Sequence, residues 1–137
     1  MITGVNHITL SVRDLEQSLA FYVDVLGCAK VAETLKGYYL RAGDLWLVLE
    51  VDEHVRSGPL PEYTHVAFSV RQEDYEDMAS RIRAAGAEIF KENKSEGQSL
   101  YFLDPTGHRL EIHVGDLTSR LAAMAAHPAT APKSDKL

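Results

Sequence analysis

Two histidines and a glutamate, His7, His65 and Glu111, are the residues of this chain best suited to hold a metal ion. Two neutral imidazoles and one carboxylate suit Mn²⁺, Fe²⁺ or a similar ion and leave coordination positions open for a substrate. Their long-range spacing alone says little, because a lone strand histidine is usually a satisfied structural residue. What singles out the histidines is their surroundings. His7 stands in "NHITLSV" and His65 in "THVAFSV", and at the same offset of 58 Ser11, Val12 and Arg13 match Ser69, Val70 and Arg71. Glu111 lies in "RLEIHV", where strand alternation puts His113 on the same face as a rival ligand.

The elements that must position these groups follow from periodicity. In residues 6–12, Ile8, Leu10 and Val12 alternate with His7, Thr9 and Ser11, which predicts a strand with one core face and one polar face. Asp14 is a good helix N-cap, and Leu15, Leu19, Tyr22, Val23 and Leu26 recur at helical spacing until Gly27. Three strand-like runs follow, "AKVAETL", "GYYLRAG" and "LWLVLEV". After "HVRSGPLPEY", a linker by its Pro and Gly content, the order restarts: a strand "HVAFSV", a helix over 72–85 ended near Gly86, and the strands "AEIFKEN", "SLYFLD" and "RLEIHV". The chain therefore reads as an internal repeat of a βαβββ module in the α+β class. Repeat one spans 2–53, the linker 54–63 and repeat two 64–115, with a C-terminal helix over about 116–127. Together they make a single domain over 1–128, and 129–137 reads as a disordered tail. Two such modules set edge to edge make a curved mixed sheet with a cup, in which His7 and His65 are related by a pseudo-twofold axis.

Bulk composition narrows the function classes. The chain of 137 residues is 45% hydrophobic, enough for a packed core. Its net charge of −6 argues against a general nucleic-acid binder, whose surface must neutralise phosphates. No stretch approaches the roughly 18 apolar residues of a membrane span and no signal-peptide pattern opens the chain, so a cytoplasmic location is expected. The single cysteine, Cys28, excludes an internal disulfide and a Cys-rich zinc site.

A second chemical signal lies in "KENKSEGQS". Lys91, Asn93, Lys94, Ser95, Gly97 and Ser99 fall within nine residues between two strands. Such loops are commonly plain hairpin connections, but in an acidic chain local lysines with hydroxyls and backbone donors suit a phosphate or phosphonate. "DPTG" is a turn signature that feeds the strand carrying Glu111.

With these residues in view, the chain resembles the vicinal oxygen chelate superfamily and, within it, the fosfomycin-resistance glutathione transferases. The markers are "GVNHITLSV", "GYYLRAGDLWLVL", "YTHVAF", "NKSEGQSLYFLDPTGHRLEIHVGDL" and "SRLAA". The resemblance implies a Mn²⁺-dependent enzyme that opens the epoxide of fosfomycin with glutathione thiol. It implies His7, His65 and Glu111 as metal ligands and a module-swapped homodimer in which His7 joins His65 and Glu111 of the partner. It further implies Lys91, Ser95, Ser99, Tyr101 and Arg120 as phosphonate-binding residues, Thr9 near the oxirane oxygen, and Trp46 lining the pocket. The resemblance also implies Tyr39 as the residue that helps deprotonate the thiol, and Asn93, Ser95, Gly97, Ser99 and Tyr101 as a loop able to wrap an activating K⁺ ion.

Val48 stands where the second repeat has Glu111, against a four-ligand site of the glyoxalase I type. Family hydrolases use an added carboxylate near the start of the strand holding Tyr39, whereas here "TLKGYYL" holds no acid. The rivals are a transferase using bacillithiol or cysteine, an Fe²⁺ ring-cleaving dioxygenase, and a metal-free drug-binding module.

Overall fold

The computed structural model describes residues 1–127. Residues 128–137, including the stretch read above as a tail, lie outside the described residues. The first module runs β1 (His7–Val12), α1 (Leu15–Ala20), a π-helical turn (Phe21–Val25), β2 (Ala29–Glu33), β3 (Gly37–Ala42) and β4 (Leu45–Val51). The second runs β5 (Val66–Ser69), a 3-10 turn (Gln72–Asp74), α2 (Tyr75–Ala84), β6 (Ile89–Lys91), β7 (Ser99–Leu103) and β8 (Arg109–His113), and α3 (Leu117–Ala125) follows. The repeat is thus present element for element.

Each module folds into a four-stranded mixed sheet, in the orders β1-β4-β3-β2 and β5-β8-β7-β6. In both, the first strand lies parallel to the last and the others are antiparallel. The sheets of one chain are not hydrogen-bonded to each other, and β1 and β5 are both left as edges. A continuous cupped sheet therefore does not form within one chain. Instead the modules share one core on the faces away from the polar residues. Leu10, Val12, Leu40, Leu47 and Leu49 of the first sheet join Phe102, Leu110 and Ile112 of the second, with Phe21, Tyr22, Ala79 and Ile82 from the helices.

The first helix departs from expectation at its end. Asp14 caps it by accepting from the Gln17 amide, and Gly27 leaves it with φ of 78°. Between them the last turn widens, with the Leu26 amide bonding the Phe21 carbonyl. Two consecutive aromatics, Phe21 and Tyr22, are buried there, and Tyr22 donates to Asp104 Oδ2 at 2.7 Å across the module boundary. α2 begins a few residues later than expected because the 3-10 turn occupies 72–74.

The "DPTG" turn is the main staple between modules. Asp104 Oδ1 accepts from the amides of Thr106, Gly107 and His108, each at 2.9 Å. His108 Nε2 donates to the Ser11 carbonyl at 2.7 Å, and Arg13 donates to the Pro105 carbonyl at 3.0 Å. No helix among the described residues is long and apolar enough to cross a membrane.

Candidate metal and substrate site

Strand alternation sends Leu110 and Ile112 of β8 into the core, so Glu111 and His113 share the opposite face. Glu111 is nonetheless only 5% exposed. A buried carboxylate needs partners on its oxygens. Ser99 Oγ donates to Oε2 at 2.6 Å and itself meets His113 Nδ1 at 2.6 Å. Because that hydroxyl has one proton, and the carboxylate takes it, His113 Nδ1 is the donor to Ser99. The other oxygen, Oε1, stands 3.0 Å from His65 Nε2, and His65 is the more exposed partner. His113, the rival to Glu111 on the same strand face, meets the Ser99 hydroxyl that bonds Oε2, while the more exposed His65 stands at Oε1.

This pair fits a divalent cation. Two ligands each about 2.1 Å from one ion at right angles stand about 3 Å apart, which is the spacing of this pair. Ser99 and His113 serve the carboxylate as outer-layer partners do at metal sites.

His7 is not part of this cluster. It projects from the edge strand β1 of the other sheet, where its ring lies 4.3 Å from that of Trp46. Its Nδ1 donates to Asn6 Oδ1 at 2.7 Å, which leaves Nε2 free as an acceptor or ligand. Among the described residues no three His, Cys, Asp or Glu side chains come together as a metal-sized cluster. One chain therefore brings together two of the three expected ligands. His7 lies instead with Thr9, Tyr39 and Trp46. The register pairs His7 with Trp46, and Thr9 and Tyr39 each with Val48, so all share one face of the first sheet. Tyr39 and Trp46 are 5.2 Å apart and both more than a third exposed, so neither is core filling.

The anion-binding candidates surround Glu111. Lys91 Nζ lies 4.7 Å from the centre of the Tyr101 ring and 5.0 Å from that of Tyr63. Tyr101 is directly opposite Glu111 in the ladder, and its ring lies 6.1 Å from that of His65. In the loop, Asn93 Oδ1 accepts from both the amide and hydroxyl of Ser95, and its Nδ2 donates to the Gly97 carbonyl. Gly97 has φ of 77°, and a Cβ there would strike the Val114 carbonyl, so the turn needs glycine. Arg120, from α3, donates to Glu96 Oε1 at 2.9 Å.

The sequence reading missed Tyr63 and Glu96. Tyr63 ends the linker and packs on Lys91, Arg109, His65 and Phe90. Glu96 sits between Arg120 and His113. Neither has a periodic position to betray it, although an acid inside a basic loop is a usable signal. Cys28 is 8% exposed and burial pushes its thiol up to about 11, so it stays protonated and plays no nucleophilic part.

Residues 4–112 match the family profile described as the Glyoxalase/Bleomycin resistance protein/Dioxygenase superfamily. The chain belongs to this superfamily. Within it, the chain groups with the fosfomycin-resistance proteins. It is 48% identical over 130 residues to the glutathione transferase FosA of Serratia marcescens, covering 93% of this chain and 92% of the relative. It is 37% identical to the metallothiol transferase FosB of Shouchella clausii, covering 89% and 87%. A crystal structure of the fosfomycin resistance protein FosX from Listeria monocytogenes superposes with a TM-score of 0.78 at 30% identity, covering 90% of this chain and 99% of that one. A variant of FosX was solved with Mn(II) and 1S,2S-dihydroxypropylphosphonic acid, and it superposes with a TM-score of 0.76 at 29% identity over 89% of this chain and 99% of that one.

Proposed function

We propose that this superfamily member is a Mn²⁺-dependent glutathione transferase that opens the epoxide of fosfomycin and works as a module-swapped homodimer. The observation that carries the reading is the outward-facing pair of His65 Nε2 and Glu111 Oε1 at 3.0 Å, on a carboxylate braced by Ser99. The likeness to the Serratia marcescens glutathione transferase supplies the reaction class.

The free edges of β1 and β5 and the exposed Tyr39, Trp46 and Tyr63 support pairing with a second copy. In that pairing the partner subunit's His7 would complete the ligand set of His65 and Glu111. Lewis acidity at the epoxide oxygen is what a bound Mn²⁺ supplies. The chain's own residues do the rest. Lys91 and Arg120, with Ser95 and Tyr101, hold the phosphonate, whereas Ser99, also expected there, has its one proton on Glu111 and braces the carboxylate instead; Arg120 exchanges its Glu96 partner for the substrate dianion. The loop of Asn93, Ser95, Gly97, Ser99 and Tyr101 accommodates K⁺ as an activator. Trp46 walls the pocket, and Thr9 approaches the oxirane oxygen. Tyr39 assists removal of the thiol proton, because free thiols near pKa 8.5 are mostly protonated at neutral pH. The sulfur then bonds to an epoxide carbon, that carbon's ring C–O bond breaks, and the oxygen takes a proton to become a hydroxyl.

The test is formation of the fosfomycin–thiol adduct, followed by mass spectrometry, with and without Mn²⁺ and K⁺. Glutathione, bacillithiol and cysteine are compared at equal concentration. Mn²⁺-dependent adduct formed fastest with glutathione is the expected result. No adduct with any thiol overturns the reading, and a faster reaction with bacillithiol or cysteine transfers it to that thiol.

A further inference from the structure

One pocket on the first sheet is left unused by this chemistry. A hollow of about 270 Å³ beside Tyr39 is lined by Val31, Tyr39, Leu40, Arg41, Asp44 and Trp46. Arg41 is the penultimate residue of the strand that carries Tyr39, and Asp44 sits in the turn between β3 and β4. Arg41 lies opposite Trp46 in the ladder and two residues beyond Tyr39, so Arg41, Tyr39 and Trp46 project on the same face. The strand rise puts Arg41 about 7 Å along from Tyr39.

Among the described residues, the charges in this hollow have no protein partners. Neither Arg41 nor Asp44 makes an ion pair or side-chain hydrogen bond within the described residues, although the exposed Arg71 and Arg81 both find carboxylates. One cation and one anion held apart in a single hollow, walled by aromatic and aliphatic side chains, form the complement of a zwitterion. A guanidinium takes a carboxylate in a forked pair, and a carboxylate takes an ammonium. The α-ammonium and α-carboxylate of a free amino-acid end present that pattern on one carbon.

We propose that this hollow seats the γ-glutamyl end of glutathione, with Arg41 on its α-carboxylate and Asp44 on its α-ammonium. The inference rests on the proposed thiol transferase reading and deepens it. With the thiol at Tyr39, the γ-glutamyl arm that runs from the central cysteine to the α-amino-acid end spans roughly 7 Å, which matches the rise from Tyr39 to Arg41. The site selects among thiols on a feature remote from the sulfur. γ-Glutamylcysteine keeps the recognised end, and cysteinylglycine lacks it.

Binding can be read without turnover. Trp46 lines the hollow and is the chain's single tryptophan, so its fluorescence reports occupancy directly. The probe is S-methylglutathione, which cannot react, titrated into the metal-free protein, with S-methylcysteinylglycine as the control. Saturable change with the first probe, much weaker with the second, is the expected result. Arg41→Gln should weaken S-methylglutathione binding about tenfold, the loss of one charge-assisted contact. Asp44→Asn should weaken it less, and neither should change the response to the control. In turnover, Arg41→Gln should raise KM for glutathione and γ-glutamylcysteine while leaving kcat and the KM for cysteinylglycine in place. Equal binding of the two probes, or an Arg41→Gln protein that binds S-methylglutathione unchanged, overturns the seat. An active wild-type enzyme that fails these binding tests removes the seat and leaves the transferase standing. A wild type that binds S-methylglutathione but forms no adduct keeps the seat and removes the transferase.

Discussion

The two modules share strand order and register, and their polar faces keep a histidine and a tyrosine at equivalent positions, yet they differ at the residues that could grip charge. Tyr39 opposite Val48 in the first corresponds to Tyr101 opposite Glu111 in the second. Gly37 opposite Glu50 corresponds to Ser99 opposite His113. The first module has thus lost both the carboxylate and the hydroxyl that braces it. What remains there is aromatic and open: Trp46, with Tyr39 edge-on and His7 tilted against it. The duplication has produced one face that grips charge and one that presents a single imidazole among aromatic rings. A site built from one face of each kind would take His65 and Glu111 from the second and one imidazole from the first, and among the described residues neither module alone gathers three such ligands.

The largest test of this asymmetry is Glu111→Gln. The amide keeps the shape but presents one neutral oxygen to His65 and any cation. We expect Mn²⁺-dependent adduct formation to fall by at least about a hundredfold, with a matching loss of Mn²⁺ affinity by titration calorimetry. Full activity in that variant would make the two faces equivalent after all.

The turns that precede the last strands differ just as sharply. In the first module Gly43 and Asp44 form an exposed two-residue connection. In the second, Asp104 is 4% exposed and accepts from three amides and from Tyr22. Burial first, and then the Asp104 charge, holds the Tyr22 hydroxyl well above its usual pKa, so it remains a donor at any physiological pH. Asp104→Ala strands these donors and should cost about 3 kcal/mol, lowering Tm by roughly 10 °C. Asp44→Ala should leave Tm within a degree or two. Differential scanning fluorimetry measures both.

Much of this was legible in the sequence because strand alternation is a local rule. The faces of β1 and β8, the caps at Asp14 and Gly27, and the repeat offset of the histidines all follow from residues close in sequence. The pairing of His65 with Glu111 was legible only through the repeat and the family resemblance, since no spacing rule joins residues 46 apart. The π-helical turn was hidden, because Phe21 and Tyr22 fit an α-helical stripe as well as a wider turn. Within it Tyr22 bonds Asp104, a partner 82 residues away. The packing of Tyr63 on Lys91 and the hold of Glu96 on Arg120 were hidden for the same reason. Both join loop residues to distant elements, where periodicity carries no information.

Ser99 is a smaller and more discriminating test than Glu111. Its hydroxyl is the feature that Gly37 lacks at the equivalent position, and a Cβ at Gly37 would strike the Leu49 carbonyl, so the first module is closed to such a brace. Ser99→Ala should lower Mn²⁺ affinity about 10- to 100-fold while leaving the fold intact. Ser99→Thr, which keeps a hydroxyl, should recover most of the loss. Equal losses in both variants would assign Ser99 to packing alone.

The smallest expected effect separates the two equivalent tyrosines. If Tyr39 assists thiol ionisation, Tyr39→Phe should lower kcat/KM for glutathione about tenfold near pH 7. The deficit should shrink as pH rises through about 8.5, where the thiol ionises without help. Tyr101→Phe sits opposite the carboxylate instead, so its effect should fall on KM for fosfomycin and stay constant across the same pH range. Parallel pH profiles for the two variants would show that the aromatic face has no part in proton transfer, and would leave Tyr39 as a wall of the pocket.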